Sequence, residues 1–137
     1  MHCLVCIDDH GGMMFHRRRQ SRDRAVCADI MRVAVDSRLW MNDYSRRQFS
    51  GEEAEAILVE EHFLDCAGPG DWCFVEDQPL RPWLDRIESM TVYRWNRVYP
   101  ADFRLDIFPW DDGWTITARE EFSGHSHPTI TKEVYVK

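Results

Sequence analysis

Arg17, Arg18, Arg19, Arg22 and Arg24 form one dense basic block, and Asp23 is the carboxylate set within it. Guanidinium forks grip phosphate or carboxylate in two-point contacts, so Arg17, Arg18, Arg19 and Arg22 are candidate anion-binding residues. The same arginines can contact RNA backbone, with Phe15, His16 and Trp40 available for base stacking. The plain alternative is a solvated face paired to nearby acids. Asp23 also has two readings. A carboxylate in an apolar pocket binds a planar N–C–N donor pair through both oxygens. A carboxylate at a helix start also caps the helix and can pair with Arg19 or Arg24.

Other reactive residues carry less. His125-x-His127 matches part of the H-x-H-x-D-H metal motif of metallo-β-lactamase-like nucleases, but Pro128 and Thr129 follow where further ligands should stand. A metal-dependent nuclease is therefore disfavoured, no metal site is assigned, and both histidines are expected to be solvent-exposed turn residues. Cys3 and Cys6 fall in a strand, where residues three apart point to opposite faces, so they form neither a chelate nor a redox pair. Cys27, Cys66 and Cys73 sit in apolar patterns as small core residues. There is no G-x-S-x-G, P-loop or H-E-x-x-H.

Composition sets the frame for these residues. The 137 residues are 44% apolar and 30% charged, the profile of one globular domain spanning 1–137. Five cysteines without framework spacing suit a reducing cytoplasm, the expected location. No apolar run reaches the ~20 residues that would span a membrane. Nor is a secretory leader expected, since no basic segment precedes an apolar core. Net charge is −7, with acid gathered in 52–65 and 102–112, which argues against an extended nucleic-acid-binding face.

The elements that must position the candidates follow from pattern. LVCI (4–7) is a continuous apolar run, expected as a strand buried on both faces. It leads through Gly11 and Gly12 into a Met13-Met14-Phe15 loop. Ser21 is a plausible N-cap for a helix over 22–35, whose inner face is Val26, Ile30 and Val33. Residues 38–41 form a second strand. Ser50-Gly51-Glu52-Glu53 reads as a capping box, predicting a helix to about Asp65, stopped by Gly68-Pro69-Gly70. A third strand covers 72–75, a short helix 82–88 and a fourth strand 91–95. Segments 114–122 and 130–136 alternate as a closing antiparallel hairpin. Strands alternating with helices and ending in a hairpin predict an α/β sheet with an antiparallel edge.

In this order the chain resembles the dihydrofolate reductase family. The opening strand, the glycines and methionines at 11–14 and the carboxylate Asp23 stand at comparable spacings. Met41-Asn42-Asp43-Tyr44-Ser45 keeps the Met and the hydroxyl of the segment that opens that family's next helix. Val92–Trp95, Tyr99-Pro100-Ala101-Asp102 and Phe108-Pro109 precede a long hairpin that ends at Tyr135-Val136-Lys137. The resemblance implies a mostly parallel sheet, here trimmed to about six strands, with a C-terminal antiparallel hairpin and flanking helices. It implies a catalytic placement for Asp23, which in the family binds the pterin edge and assists its protonation. It also implies a ligand cleft formed by Gly11, Gly12, Met13, Met14, Phe15 and Ser45.

The middle departs from that family. Glu76-Asp77 stands where the family has a Gly-Gly pair whose bare backbone meets the NADPH pyrophosphate. Two carboxylates repel a polyphosphate and deny it close backbone approach. The resulting expectation is a small-ligand-binding domain on a reductase-like scaffold, without NADPH as cofactor and without NADPH-dependent turnover. The alternative is an RNA-associated or macromolecular interaction protein using the 17–24 basic block. A trimmed sheet also exposes an edge that could pair with a second copy in a homo-oligomer.

Overall fold

Burial of the first strand on both its faces organises the molecule. In the computed structural model, which describes residues 1–137, β1 (His2–Ile7) sends Cys3, Val5 and Ile7 to one face and Leu4 to the other, all fully buried. That is the two-sided burial expected of a central strand. β1 lies between β6 (Trp72–Phe74) and β7 (Ser89–Arg94), parallel to both. Beyond β6 come β4 (Leu39–Met41) and β5 (Leu58–Val59), again parallel. On the other side β10 (Ile130–Val136) is antiparallel to β7 and to the edge strand β9 (Thr115–Phe122).

The sheet therefore has seven strands in the order β5-β4-β6-β1-β7-β10-β9, mostly parallel with an antiparallel C-terminal hairpin. This is one strand more than the expected trimmed sheet. The difference is β5, whose two residues pair with Trp40 and Met41 inside a segment read as helix. The predicted helix over 50–65 is replaced by a 3-10 turn (Glu52–Ala56), β5 and the short α3 (Phe63–Cys66). Gly51 takes the left-handed backbone at φ 92 and Ser50 makes no capping bond, so the capping box never closes. The apolar run Ile57-Leu58-Val59 gains more from a sheet edge than from an acidic helix.

Two further expectations shift. The Met13-Met14 loop is a strand, β2 (Gly12–Phe15), in a second small sheet with β3 (Arg18–Arg19) and β8 (Phe103–Arg104). One partner, β3, is only two residues long and the other, β8, lies far along the chain, so the pairing leaves little local pattern. The segment over 82–88 is a 3-10 turn, Arg81–Arg86. Helix α1 (Arg24–Val33) and the hairpin strands sit within a few residues of expectation, but Asp23 rather than Ser21 caps α1. No helix is long and apolar enough to cross a membrane.

The core splits across the sheet. One face packs Val5, Ile7, Met90 and Val92 against Phe63, Leu80 and Ile107. The other packs Leu4, Phe74 and Tyr93 against Val26 and Ile30 of α1.

Candidate functional site

The carboxyl ends of parallel strands leave a crevice where the chain exits into loops, and ligands of open α/β sheets bind there. In this protein that crevice is built from three groups of buried polar side chains.

Asp8 follows β1. Its Oδ1 accepts the backbone N–H groups of His10 and Gly12 at 2.8 Å, and its Oδ2 accepts from Tyr99 N and Gln20 Nε2 at 3.0 and 3.1 Å. Burial works to push the Asp8 carboxyl up, but these donors together hold it below its ordinary value. Gly11, at φ 75, makes the tight return into β2.

Glu76 follows β6 and is buried. Arg19 reaches it from β3 in a two-point contact, Nε to Oε2 at 2.9 Å and an NH₂ group to Oε1 at 3.1 Å. Ser45 Oγ and Gln48 Nε2 also donate to Oε1, at 2.8 and 3.1 Å. The Arg19 guanidinium lies 4.2 Å from the centre of the Tyr44 ring and donates to the Tyr44 carbonyl. Burial disfavours charge on Arg19, but Glu76 outweighs it and raises the guanidinium further. Neighbouring Asp77 is held by Asn42, which also caps α2 (Asp43–Arg46). Burial of Asp77, with Glu76 beside it, raises its carboxyl above the usual value. Glu76 is thus a paired anion, filled by the chain's own donors.

Asp23 and His127 form the third group. The Asp23 side chain is 0% exposed. Its Oδ1 accepts from Ala25 N at 2.9 Å and His125 N at 2.8 Å, and its Oδ2 from Ser126 N at 2.7 Å and His127 Nδ1 at 2.9 Å. Burial pushes the carboxyl up, but these four donors win and hold it at about 2. On its other side, His127 Nε2 faces Ser21 Oγ at 3.0 Å and Tyr99 Oη at 3.1 Å, and Trp95 stacks on the ring at 4.6 Å. His127 is buried, against the expectation of an exposed turn histidine; His125 is exposed as expected. Gly124 makes this approach possible. A Cβ there would lie 2.6 Å from Asp23 Oδ2 and 2.8 Å from the His127 carbonyl oxygen.

The candidate ligand residues do not share one cleft. Gly11, Gly12, Met13 and Met14 are buried, the methionines in the core. Phe15 is exposed and stacks on His16 at 3.8 Å. With Arg18, Arg19 and Tyr99 these two rings line a hollow of about 520 Å³. Ser45 is buried against Glu76. The arginine block is likewise divided. Arg17 and Arg18 stand exposed at the tip of the β2–β3 hairpin, where His16 and Arg17 both take positive φ. Arg19 turns inward, and Arg22 turns toward α1.

A different cleft, of about 740 Å³, opens between α1 and the chain following α2. Arg22, Arg24 and Arg47 stand around it, and Cys27, Ala28 and Met31 of α1 form one wall. Arg47 is paired with Asp43 at 2.7 Å, while Arg22 and Arg24 have no carboxylate within ion-pair distance. Ala28, Met31 and Glu53 also line a second hollow of about 500 Å³, which runs on to Val35, Ala56 and Ile57. The two share these three lining residues and are taken together as a trough along α1, with arginines around one end, the Glu53 carboxylate where the two meet and mostly apolar side chains beyond. Sequence reasoning saw the arginines but not the trough, because its second wall comes from the segment misread as a regular helix.

Comparison with known proteins reaches the fold and stops there. No family model matches the sequence, and no curated protein matches it. Among solved structures, a dihydrofolate reductase from Enterococcus faecalis, complexed with NADP(H) and RAB-propyl, superposes with a TM-score of 0.69. The match covers 98% of this chain and 94% of that one, at 9% sequence identity. The chain therefore has a dihydrofolate reductase-like fold with a divergent sequence.

Proposed function

We infer that this dihydrofolate reductase-like scaffold binds a small molecule and does not carry out NADPH-dependent turnover. The supporting observation is the trough along α1. Its two parts, about 740 and 500 Å³, fall in the size range of small-molecule sites. Free guanidinium groups at one end suit a carboxylate or phosphate, and the apolar wall suits an aromatic or aliphatic body. The ligand class is an anion with an apolar extension.

The residues after β6 do not fit NADPH. A pyrophosphate needs open backbone N–H groups and positive potential. This position instead offers Glu76, filled by Arg19, Ser45 and Gln48, and the carboxylate of Asp77. Both oxygens of Asp23 are likewise taken by internal donors, which favours its capping role over a hold on a pterin edge.

Thermal shift against folates, pterins, aromatic carboxylates and NADPH tests this reading. A rise in melting temperature with an anionic aromatic ligand is expected, lost in the Arg22→Ala, Arg24→Ala double variant. Strong stabilisation by NADPH would contradict the loss of the cofactor, and no shift with any compound would remove the binding function.

RNA contact by the hairpin tip is a second reading, favoured by the exposed Phe15–His16 stack beside Arg17 and Arg18. It predicts binding to single-stranded RNA that weakens steeply with salt and disappears on charge reversal at Arg17 and Arg18.

A further inference from the structure

Ser21, His127 and Asp23 are joined in one hydrogen-bonded line. Asp23 Oδ2 lies 2.9 Å from His127 Nδ1, and His127 Nε2 lies 3.0 Å from Ser21 Oγ. We propose that Ser21 is a nucleophile, with His127 as its general base and Asp23 as the group that orients the base, and that the protein hydrolyses small carboxylic esters.

The carboxylate sets the proton positions. Asp23 is ionised and wholly buried, and it accepts the Nδ1 proton, leaving the Nε2 lone pair directed at the hydroxyls. That tautomer is the one a general base needs. Trp95 stacked on one face and the bonds from Asp23 hold the imidazole plane, so base and hydroxyl need no search for each other. Ser21 is half-buried, on the irregular segment between β3 and α1, so its side chain is not sealed from solvent. The backbone N–H of Arg22, the residue after the nucleophile, donates to no protein acceptor. A donor at that position can serve the oxyanion of an attacked carbonyl.

Tyr99 is the competing feature. Its hydroxyl reaches the same Nε2 at 3.1 Å, so two O–H groups share one lone pair. Removing the Tyr99 hydroxyl gives the lone pair to Ser21 alone.

The chemistry balances with water as co-reactant. Ser21 Oγ bonds to the ester carbonyl carbon as its proton passes to His127 Nε2. The C–O bond to the alcohol then breaks, and the departing oxygen takes that proton. Water attacks the acyl-serine by the same route, giving the carboxylic acid and free Ser21.

The serine and the arginine trough are separately testable, since a neutral phosphorylating reagent needs no anion site. Diisopropyl fluorophosphate forms a Ser21 Oγ–P bond as P–F breaks, with the serine proton leaving through His127. Intact-mass and peptide-mapping spectrometry are expected to show one adduct, on Ser21. Ser21→Ala should abolish it with an unchanged melting temperature, and His127→Gln should slow it about 100-fold or more. Tyr99→Phe should label at least as fast as the parent. The absence of a Ser21 adduct on the folded parent protein overturns the proposal, as does undiminished labelling in His127→Gln. If His127→Gln does not fold, a loss of labelling in folded Tyr99→Phe would overturn it in its place.

Discussion

At the residue scale, Asp23 is the most consequential side chain, because it ties the start of α1 to a loop 104 positions away. Its acidity gives this tie a pH signature. The folded carboxyl sits at about 2 against an ordinary 3.8, so the stabilisation is complete above the ordinary value and fades as pH falls through the folded one. The shift corresponds to about 2 kcal/mol. Asp23→Asn should therefore be destabilised at about pH 6, with the gap to the parent narrowing toward about pH 2. Urea denaturation at both pH values would measure it; a gap that does not narrow would show that Asp23 carries no such charge-dependent bond. Gly124→Ala should cost about 1–3 kcal/mol in the same assay, because the new methyl meets the tethered Asp23 carboxylate and the His127 carbonyl as well as the end of Ile130. The sequence exposed Asp23 through its place at a helix start among arginines. His127 stayed hidden. Its partners come from two distant segments, 21–23 and 95–99, and a histidine in a Ser-Gly-Pro turn carries no local mark of burial.

At the element scale, the β2–β3 hairpin is pinned to the sheet through Arg19 and Glu76. Removing one partner leaves a buried charge without its counterpart, whereas replacing both with apolar groups does not. Glu76→Ala alone should cost about 3–5 kcal/mol. The Arg19→Met, Glu76→Met double variant should lose less than the sum of the single changes. A double-mutant cycle by chemical denaturation reads this directly, and strict additivity would mean that the two side chains do not interact. The elements themselves were unevenly legible. β1 and α1 stood out because their apolar runs and spacing match what they bury, and the β9–β10 hairpin because its residues alternate, although β9 itself lies exposed at the sheet edge. β2 did not, since Gly12 and Met14 are fixed by pairing with β8. The acid-rich start of 50–65 mimicked a helix, while β5 depended on β4 being next to it.

At the scale of the whole molecule, the order of elements carried the fold and the sheet adds its detail. Five parallel strands, closed by the antiparallel β9–β10 hairpin, place the exits of β1, β4 and β6 on a common crevice. On a reductase-like scaffold, that crevice is filled from within by Asp8, Arg19 and Glu76. The open volume lies beside it, along α1. The extra pairing of β5 could not be read from two residues, and the trough could not be read without β5 and the turn before it. The central claim is that ligand binding has its seat in this trough and not at the end of β6. Backbone amide NMR of the labelled protein, titrated with folate, 4-aminobenzoate and NADPH in turn, tests it most directly. An anionic aromatic ligand should move the amides of Cys27, Ala28, Met31 and Gln48, and NADPH should leave those of Glu76 and Asp77 unmoved. Saturating shifts at Glu76 and Asp77 with NADPH, or no shift along α1 with any of the three, would contradict the account.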